Sequence, residues 1–225
     1  MEKQAEAGRG KPVEKTGRTD LWELETQLHR EGLQLICGVD EAGRGPLAGP
    51  VCAAAVILPQ GFLPDGLNDS KKLSEKKREI LFQQIQEAAV SFSVAFGTVE
   101  EIERENILQA TFLAMNRAIA GLNPQPEFAL IDGNRNREIR IPSRCVVGGD
   151  GKVASIAAAS ILAKVTRDHL MLRLAEEYPQ YGFEKHKGYG TKAHYDALKK
   201  FGPCPAHRMS FLKSSGFCIL TRMER

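Results

Sequence analysis

The chain has 225 residues, 42% of them hydrophobic, with 31 Lys and Arg against 28 Asp and Glu. That composition supports a buried core in one ordinary-sized domain and excludes a disordered chain, and its longest apolar stretches (51–59 and 156–163) fall well short of the roughly 20 residues of a membrane helix. Cys37, Cys52, Cys145, Cys204 and Cys218 are dispersed without a Cys-x-x-Cys pair, which fits reduced thiols in a cytoplasmic protein and argues against a disulfide frame or zinc finger.

Residues 1–18 mix Gly, Lys, Glu and Arg without periodicity and carry no apolar run of the kind a secretory signal needs. They read as a flexible lead, which leaves 19–225 as a single domain. A short amphipathic helix is predicted over 20–32, with Leu21, Leu24 and Leu28 on one face and Gly32 as its stop. The run 34–40 predicts a strand ending in Asp-Glu-Ala-Gly-Arg-Gly, and 51–58 predicts the next, closed by Pro59. Two Gly/Pro-punctuated strands in succession predict antiparallel pairing. Ser74 is placed to cap a helix running to about Ala89, with Ile80, Leu81, Ile85 and Ala88 inward. A strand over 90–96 follows.

Thr98 and Glu101 form a capping box for one helix carrying Ile102, Leu108, Phe112, Met115 and Ile119 as far as Gly121. Short strands at 128–131 and 145–147 deliver Asp132 and, after two glycines, Asp150. A long helix over 153–178 stops at Pro179, and its alanines 154, 157, 158, 159 and 163 allow close packing. A last helix starts at Thr191 and ends before Gly202-Pro203. This order predicts an α/β domain with a mixed sheet.

Charge is unevenly spread. Residues 181–225 hold nine Lys and Arg against three Asp and Glu, whereas the first 180 hold 22 against 25. A basic C-terminal segment on a slightly acidic body suits a polyanionic partner, and equally a solvated helical face.

The acidic residues carry more information. Asp40, Glu41, Asp132 and Asp150 each sit just past an apolar strand, beside glycine. Carboxylates at strand ends of an α/β sheet can converge in the crevice where such folds place ligands. Neighbours on a regular strand point to opposite faces, so Asp40 and Glu41 are expected to share a site only where the strand breaks. Four clustered carboxylates require a counter-charge, and oxygen ligands without His or Cys favour Mg²⁺ or Mn²⁺. Singly, each suits a cap or turn; their shared placement favours a metal site.

Gly43-Arg44-Gly45 lets backbone amides and an arginine fork approach phosphate, and it also suits a tight turn. It lacks the Gly-Lys-Ser/Thr of a Walker loop. Ser70-Lys71-Lys72 suits phosphate contact or a solvated helix lead. Tyr189, between Gly188 and Gly190, can stack on a base or sugar, or pack as a loop tyrosine. His207 suits a proton shuttle or a packed histidine.

Taken together these strings resemble one family, bacterial ribonuclease HII, the type 2 ribonuclease H. The matching stretches are GVDEAGRGPLAGP at 38–50, NDSKKL at 68–73, IDGN at 131–134, SIAAASILAKVTRD at 155–168, HKGYGT at 186–191 and PAHRMSF at 205–211. The Gly-Arg-Gly form points to HII and not to HIII, which usually carries an extra N-terminal domain for which this chain has no room. The resemblance implies the ribonuclease H-like fold: a five-stranded mixed sheet flanked by helices, with a helical C-terminal part. It implies a monomeric enzyme that hydrolyses the RNA strand of RNA–DNA hybrids and incises beside ribonucleotides embedded in duplex DNA, leaving 3′-hydroxyl and 5′-phosphate ends.

Carried over position by position, Asp40, Glu41, Asp132 and Asp150 match the ligands of two Mg²⁺ or Mn²⁺ ions. Asp168 is the rival for the fourth place, and its helical position favours a structural role. Gly43, Arg44 and Gly45 match the loop that reads the ribonucleotide, and Tyr189 matches the tyrosine at the RNA–DNA junction. Two other readings stay open on the residues alone: a related-fold nuclease acting on DNA junctions, and a non-catalytic nucleic-acid-binding module.

Overall fold

In the computed structural model, which describes residues 20–67 and 73–214, strand β1 (Ile36–Ala42) lies at the centre of a five-stranded sheet. With β2 (Val51–Ile57), β3 (Ser91–Gly97), β4 (Phe128–Asp132) and β5 (Ser143–Val146), the order is β3-β2-β1-β4-β5. β1 runs antiparallel to β2, and β2 to β3, whereas β1, β4 and β5 are parallel. The expected mixed sheet is therefore present. The lead 1–18 and the Ser70-Lys71-Lys72 string lie outside the described residues.

β2 is buried along its whole length because helices cover both faces. Its alternation sends Cys52, Ala54 and Val56 towards α2 (Glu75–Ala88) and α5 (Ala154–Glu177), and Ala53, Ala55 and Ile57 towards α4 (Ile107–Ala120). α5 comes closest to the sheet: the five alanines singled out above are fully buried, and a Cβ on Gly38 would stand 2.2 Å from the backbone nitrogen of Ile156. Only a residue without a side chain allows this crossing. α1 (Glu23–Arg30) closes one end, with Leu28 packed among Ile36, Leu130 and Ile156.

The structure corrects the sequence reading in several places. The single helix expected after Thr98 is two, α3 (Val99–Glu105) and α4, divided at Asn106. Asn106 adopts φ 79° and its side chain accepts from the N–H groups of Leu108 and Gln109, so it ends one helix and caps the next. Ile80 is 48% exposed, because Leu81 and Ile85 fix the inward face of α2. β5 starts two residues early, and Val147 is left 65% exposed. β1 runs through Asp40 and Glu41 to Ala42 without a break.

Beyond α5 the chain forms α6 (Phe183–His186), α7 (Lys192–Phe201) and α8 (Met209–Ser214), the first and last of which were not foreseen. A directed chain of imidazoles ties the 204–207 segment to α7 and to Tyr189. Cys204 N–H donates to His207 Nδ1 at 3.0 Å, so the proton of His207 sits on Nε2 and is shared with His194 Nε2 at 3.0 Å. His194 in turn donates from Nδ1 to the Tyr189 carbonyl at 2.9 Å. His207 is thus a packed histidine, not a shuttle. Burial holds both rings neutral, with pKa values lowered to about 4.

Gly38→Ala is expected to lower stability by about 1–3 kcal/mol or more in urea denaturation, because the new methyl meets backbone that cannot rotate away. The imidazole pair predicts a pH dependence. Each ring is protonated near 6.5 when unfolded but resists until about 4 when folded, so the unfolded state binds more protons between these values. Stability is therefore lost as pH falls through that window, by up to about 1.4 kcal/mol per pH unit for each ring. The raised carboxyls of Glu25 and Asp40 act in the opposite sense, so the comparison with His207→Gln isolates the imidazoles. The loss below pH 6.5 should be shallower in that variant; identical profiles would refute the assignment.

Candidate active site

Asp40 and Glu41 reach one site without any break in the strand. Alternation places Asp40 on the α5 face, where the Ser160 hydroxyl bonds it, and Glu41 on the α4 face. What joins them is the sheet itself. β1 pairs with β4 only as far as Val39↔Ile131, whereas its next three residues pair only with β2. The two parallel strands thus open a crevice at their C-terminal ends. Asp40, Glu41 and Asp132 all line this cleft, whose volume is about 390 Å³.

Like charges crowd there. Asp40, only 6% exposed, has its carboxyl pushed well above the usual range by burial first, then by the charges of Glu41 and Asp132. Burial also raises Glu41, opposed by Arg44, whose guanidinium donates to Glu41 Oε1 at 3.1 Å. Asp132 Oδ1 accepts from the Gly149 N–H at 2.7 Å, which draws the turn Gly149–Gly151, and with it Asp150, up beside β4. Among the described residues no three His, Cys, Asp or Glu side chains form a closed metal cage. Instead one oxygen of each of the three carboxylates faces a donor of the chain itself: Asp40 Oδ1 takes the Glu41 N–H at 2.7 Å, as Glu41 Oε1 takes Arg44 and Asp132 Oδ1 takes Gly149.

The loop from Gly43 to Pro50 forms one side of the site, held by two arginines from distant segments. Arg167 of α5 donates to the carbonyls of Pro50, Ala48 and Lys187 at 3.0–3.1 Å. Arg208 donates to those of Gly49, Arg44 and Gly43 at 2.6–2.8 Å. Both guanidinium groups are buried, and burial lowers the pKa of Arg208 to about 9. Gly43 has φ 92°, and a Cβ there would lie 1.9 Å from Arg167 Nε, so the glycine is required by both its turn and its neighbour. The C-terminal segment also docks on this loop through Leu47 N–H to Gly188 O and Gly49 N–H to Ala206 O, each 2.8 Å. That docking brings the Tyr189 ring into contact range of Gly45: a Cβ there would be 3.7 Å from it. The ring is 48% exposed and lines the same cleft as the carboxylates.

Of the predicted residues, Asp40, Glu41, Gly43, Asp132 and Tyr189 line one cleft, with Arg44 and Gly45 on its rim and Asp150 in the adjoining turn. Asp168 is buried and pairs with Lys164 at 2.7 Å, a structural role. Sequence reasoning missed the cations Arg78, Lys164 and Arg167 and the hydroxyl of Ser160, all of which line the cleft. Helical spacing was the available signal: Ser160, Lys164, Arg167 and Met171 form one stripe of α5.

The profile of the family described as Ribonuclease HII matches residues 37–214. The Ribonuclease HII of Endomicrobium trichonymphae is 55% identical over 92% of this chain and 99% of its own. That of Dechloromonas aromatica is 62% identical over 79% of this chain and 90% of its own. Among solved structures, the ribonuclease H2 of Pyrococcus horikoshii aligns with a TM-score of 0.70 at 24% identity, covering 82% of this chain and 97% of that one. Bst-RNase HIII in complex with Mn²⁺ aligns at 0.60 and 21% identity, over 77% of this chain and 65% of that one. With the crevice, the arginine-held loop and the adjoining tyrosine in place, these matches show that the chain belongs to the ribonuclease HII family.

Proposed function

We propose that Asp40, Glu41, Asp132 and Asp150 hold two divalent cations and that the cleft they share is where the chain performs its family's reaction, endonucleolytic hydrolysis of the RNA of RNA–DNA hybrids. The carrying observation is the convergence of Asp40, Glu41 and Asp132 where β1 parts from β4, with the Tyr189 ring and the Gly43-Arg44-Gly45 loop on the same cleft. The donor set fits a hard cation: it is all oxygen, and burial, with like charge beside it, already raises Asp40 and Glu41. The Mn²⁺ complex of the HIII relative supports a divalent cofactor, Mg²⁺ or Mn²⁺. Ions held by these carboxylates would lower the pKa of the attacking water and stabilise the leaving oxygen.

The chain's own residues supply the rest. Asp40 is oriented by the Ser160 hydroxyl and the Glu41 amide, and Asp132 by the Gly149 amide, so two carboxylates enter the reaction with fixed geometry. The arginine-held backbone of Gly43 to Gly45 reads the 2′-hydroxyl, the one group that distinguishes RNA from DNA at the site. Arg44 forks towards phosphate once Glu41 is neutralised by a cation. Tyr189 stacks at the junction between ribose and deoxyribose, which extends the activity to single ribonucleotides in duplex DNA. The catalytic unit is residues 19–225 acting as a monomer. Among the described residues no helix is long and apolar enough to cross a membrane.

Asp132→Asn keeps shape but removes a charge, and cleavage of a hybrid should fall by orders of magnitude with melting temperature and substrate binding retained. Near-normal turnover at saturating Mg²⁺ would sink the assignment. Tyr189→Ala should cost roughly 1–3 kcal/mol of stacking, read as a steeper loss on duplex DNA with one ribonucleotide than on a continuous hybrid. Tyr189→Phe should retain most activity. Equal losses on both substrates for the alanine variant, with a lowered melting temperature, would make Tyr189 a packing residue.

A further inference from the structure

The cleft does not end at the carboxylates. On the α4 side, Glu41, Arg44 and Asp132 line a cavity of about 300 Å³ together with Asn134 and Arg135. A second cavity of about 570 Å³ continues it past Arg137, and the two share Leu108, Phe112, Asn134 and Arg135 as walls. The result is one groove, running from the acidic cleft along α4 and under the loop that joins β4 to β5.

That loop is strongly basic and firmly held. Between Gly133 and Pro142 it carries Arg135, Arg137 and Arg140 against Glu138 alone. Arg135 and Arg137 are exposed, and neither side chain has a hydrogen bond or ion pair among the described residues. The backbone beneath them is fixed from two sides. Asn116 of α4 donates to the Glu138 carbonyl at 2.8 Å and accepts from the Arg140 N–H at 3.0 Å. Asn136 donates to the Ser143 carbonyl at 2.9 Å and to its hydroxyl at 3.0 Å. Two unpaired guanidinium groups on a rigid loop, over a groove that begins at a phosphodiester-cleaving centre, have the chemistry of a phosphate track.

We propose that Arg135 and Arg137 bind consecutive backbone phosphates of one substrate strand as it leaves the carboxylate cleft along α4. This inference rests on the cleft being the cleavage site, and it adds a directional requirement: the enzyme needs duplex on one side of the scissile bond more than on the other. The contacts are made to phosphate and are blind to base sequence.

The experiment measures cleavage of RNA–DNA hybrids by the full chain, parent and Arg135→Ala/Arg137→Ala, across a salt series. Each phosphate contact contributes about 0.9 to the slope of log affinity against log salt, so losing two should flatten the slope by about 1.8. The double variant should raise KM severalfold, and far more than it lowers kcat, with an unchanged melting temperature. Arg135→Lys/Arg137→Lys keeps both charges and should restore the slope. Hybrids shortened from either end of the cleavage site locate the groove. On one series the parent and the alanine variant should become alike once the strand no longer reaches the loop; on the other their difference should persist. An unchanged KM and salt slope in the alanine variant would overturn the phosphate track. Asp132→Asn reports separately on the cleft: if it still cleaves, the active-site reading has failed, whereas an inactive Asp132→Asn beside an unaffected arginine variant refutes this inference alone.

Discussion

Two buried arginines hold the functional end of this molecule in place. Among the described residues Arg167 and Arg208 find no carboxylate, and their six hydrogen bonds there all end on backbone carbonyls, five of them in the loop between β1 and β2. A buried charge is tolerated only when its hydrogen bonds are satisfied, and a loop drawn into the interior must find donors for its own carbonyls. Each requirement here meets the other. A leucine or methionine of similar size would strand three carbonyls at once, at about 1–3 kcal/mol for each buried group left unpaired. Lysine would offer a compact charge where a planar fork is needed. The guanidinium groups repel each other, which contributes to the lowered pKa of Arg208, yet at about 9 it remains protonated at neutral pH.

The arginines also explain how a site rich in negative charge stands beside a surface meant for a polyanion. Carboxylates occupy the strand ends, and Arg78, Lys164 and Arg167 line the other walls of the same cleft. The cations do not neutralise the acids pairwise: Lys164 is engaged by Asp168, and Arg167 by carbonyls. Asp40 therefore keeps the burial and like-charge repulsion that raise its carboxyl, the condition a divalent cation relieves. Only part of the basic C-terminal segment contributes to a polyanion-facing surface, since Arg208, counted there by sequence, is wholly buried.

How much was legible in the sequence follows from what each feature depends on. Local chemistry was readable: the Thr98–Glu101 capping box, the Ser74 cap and the alanine face of α5 all form as expected. Features that depend on a non-local partner were not. Nothing local to Asn106 distinguishes an interior helical residue from one at φ 79° that divides two helices. The convergence of Asp40 and Glu41 was expected to require a broken strand, because the alternative, loss of the β4 partner beyond Val39, is a property of sheet register. Arg167 and Arg208 sit inside quoted motifs, but only the fold shows that residues more than a hundred positions away supply five of their six acceptors. The site carboxylates announced themselves through strand-end placement; the residues that orient them did not.

One face of α5 links these parts and sets the distance between the carboxylates and the glycine loop. Ser160 bonds Asp40, Lys164 lines the cleft a turn later, Arg167 holds the glycine loop, and Met171 packs against Gly49, where a Cβ would lie 2.6 Å from its sulfur. The spacing of four, three and four residues keeps all four in one stripe, with a rise of about 1.5 Å per residue. The same helix is pinned to β1 by the close crossing at Gly38, two residues before Asp40 on the same strand face. A shift of α5 along the sheet would therefore move the glycine loop and the Ser160 hydroxyl together, while Asp40 stayed with its strand. Close packing at Gly38 prevents that slip, so the glycine acts on the candidate site without touching it. Tyr189 is placed by the same logic from the other side, since its backbone carbonyl, not its ring, is what His194 holds. The residue is left 48% exposed while its loop stays fixed.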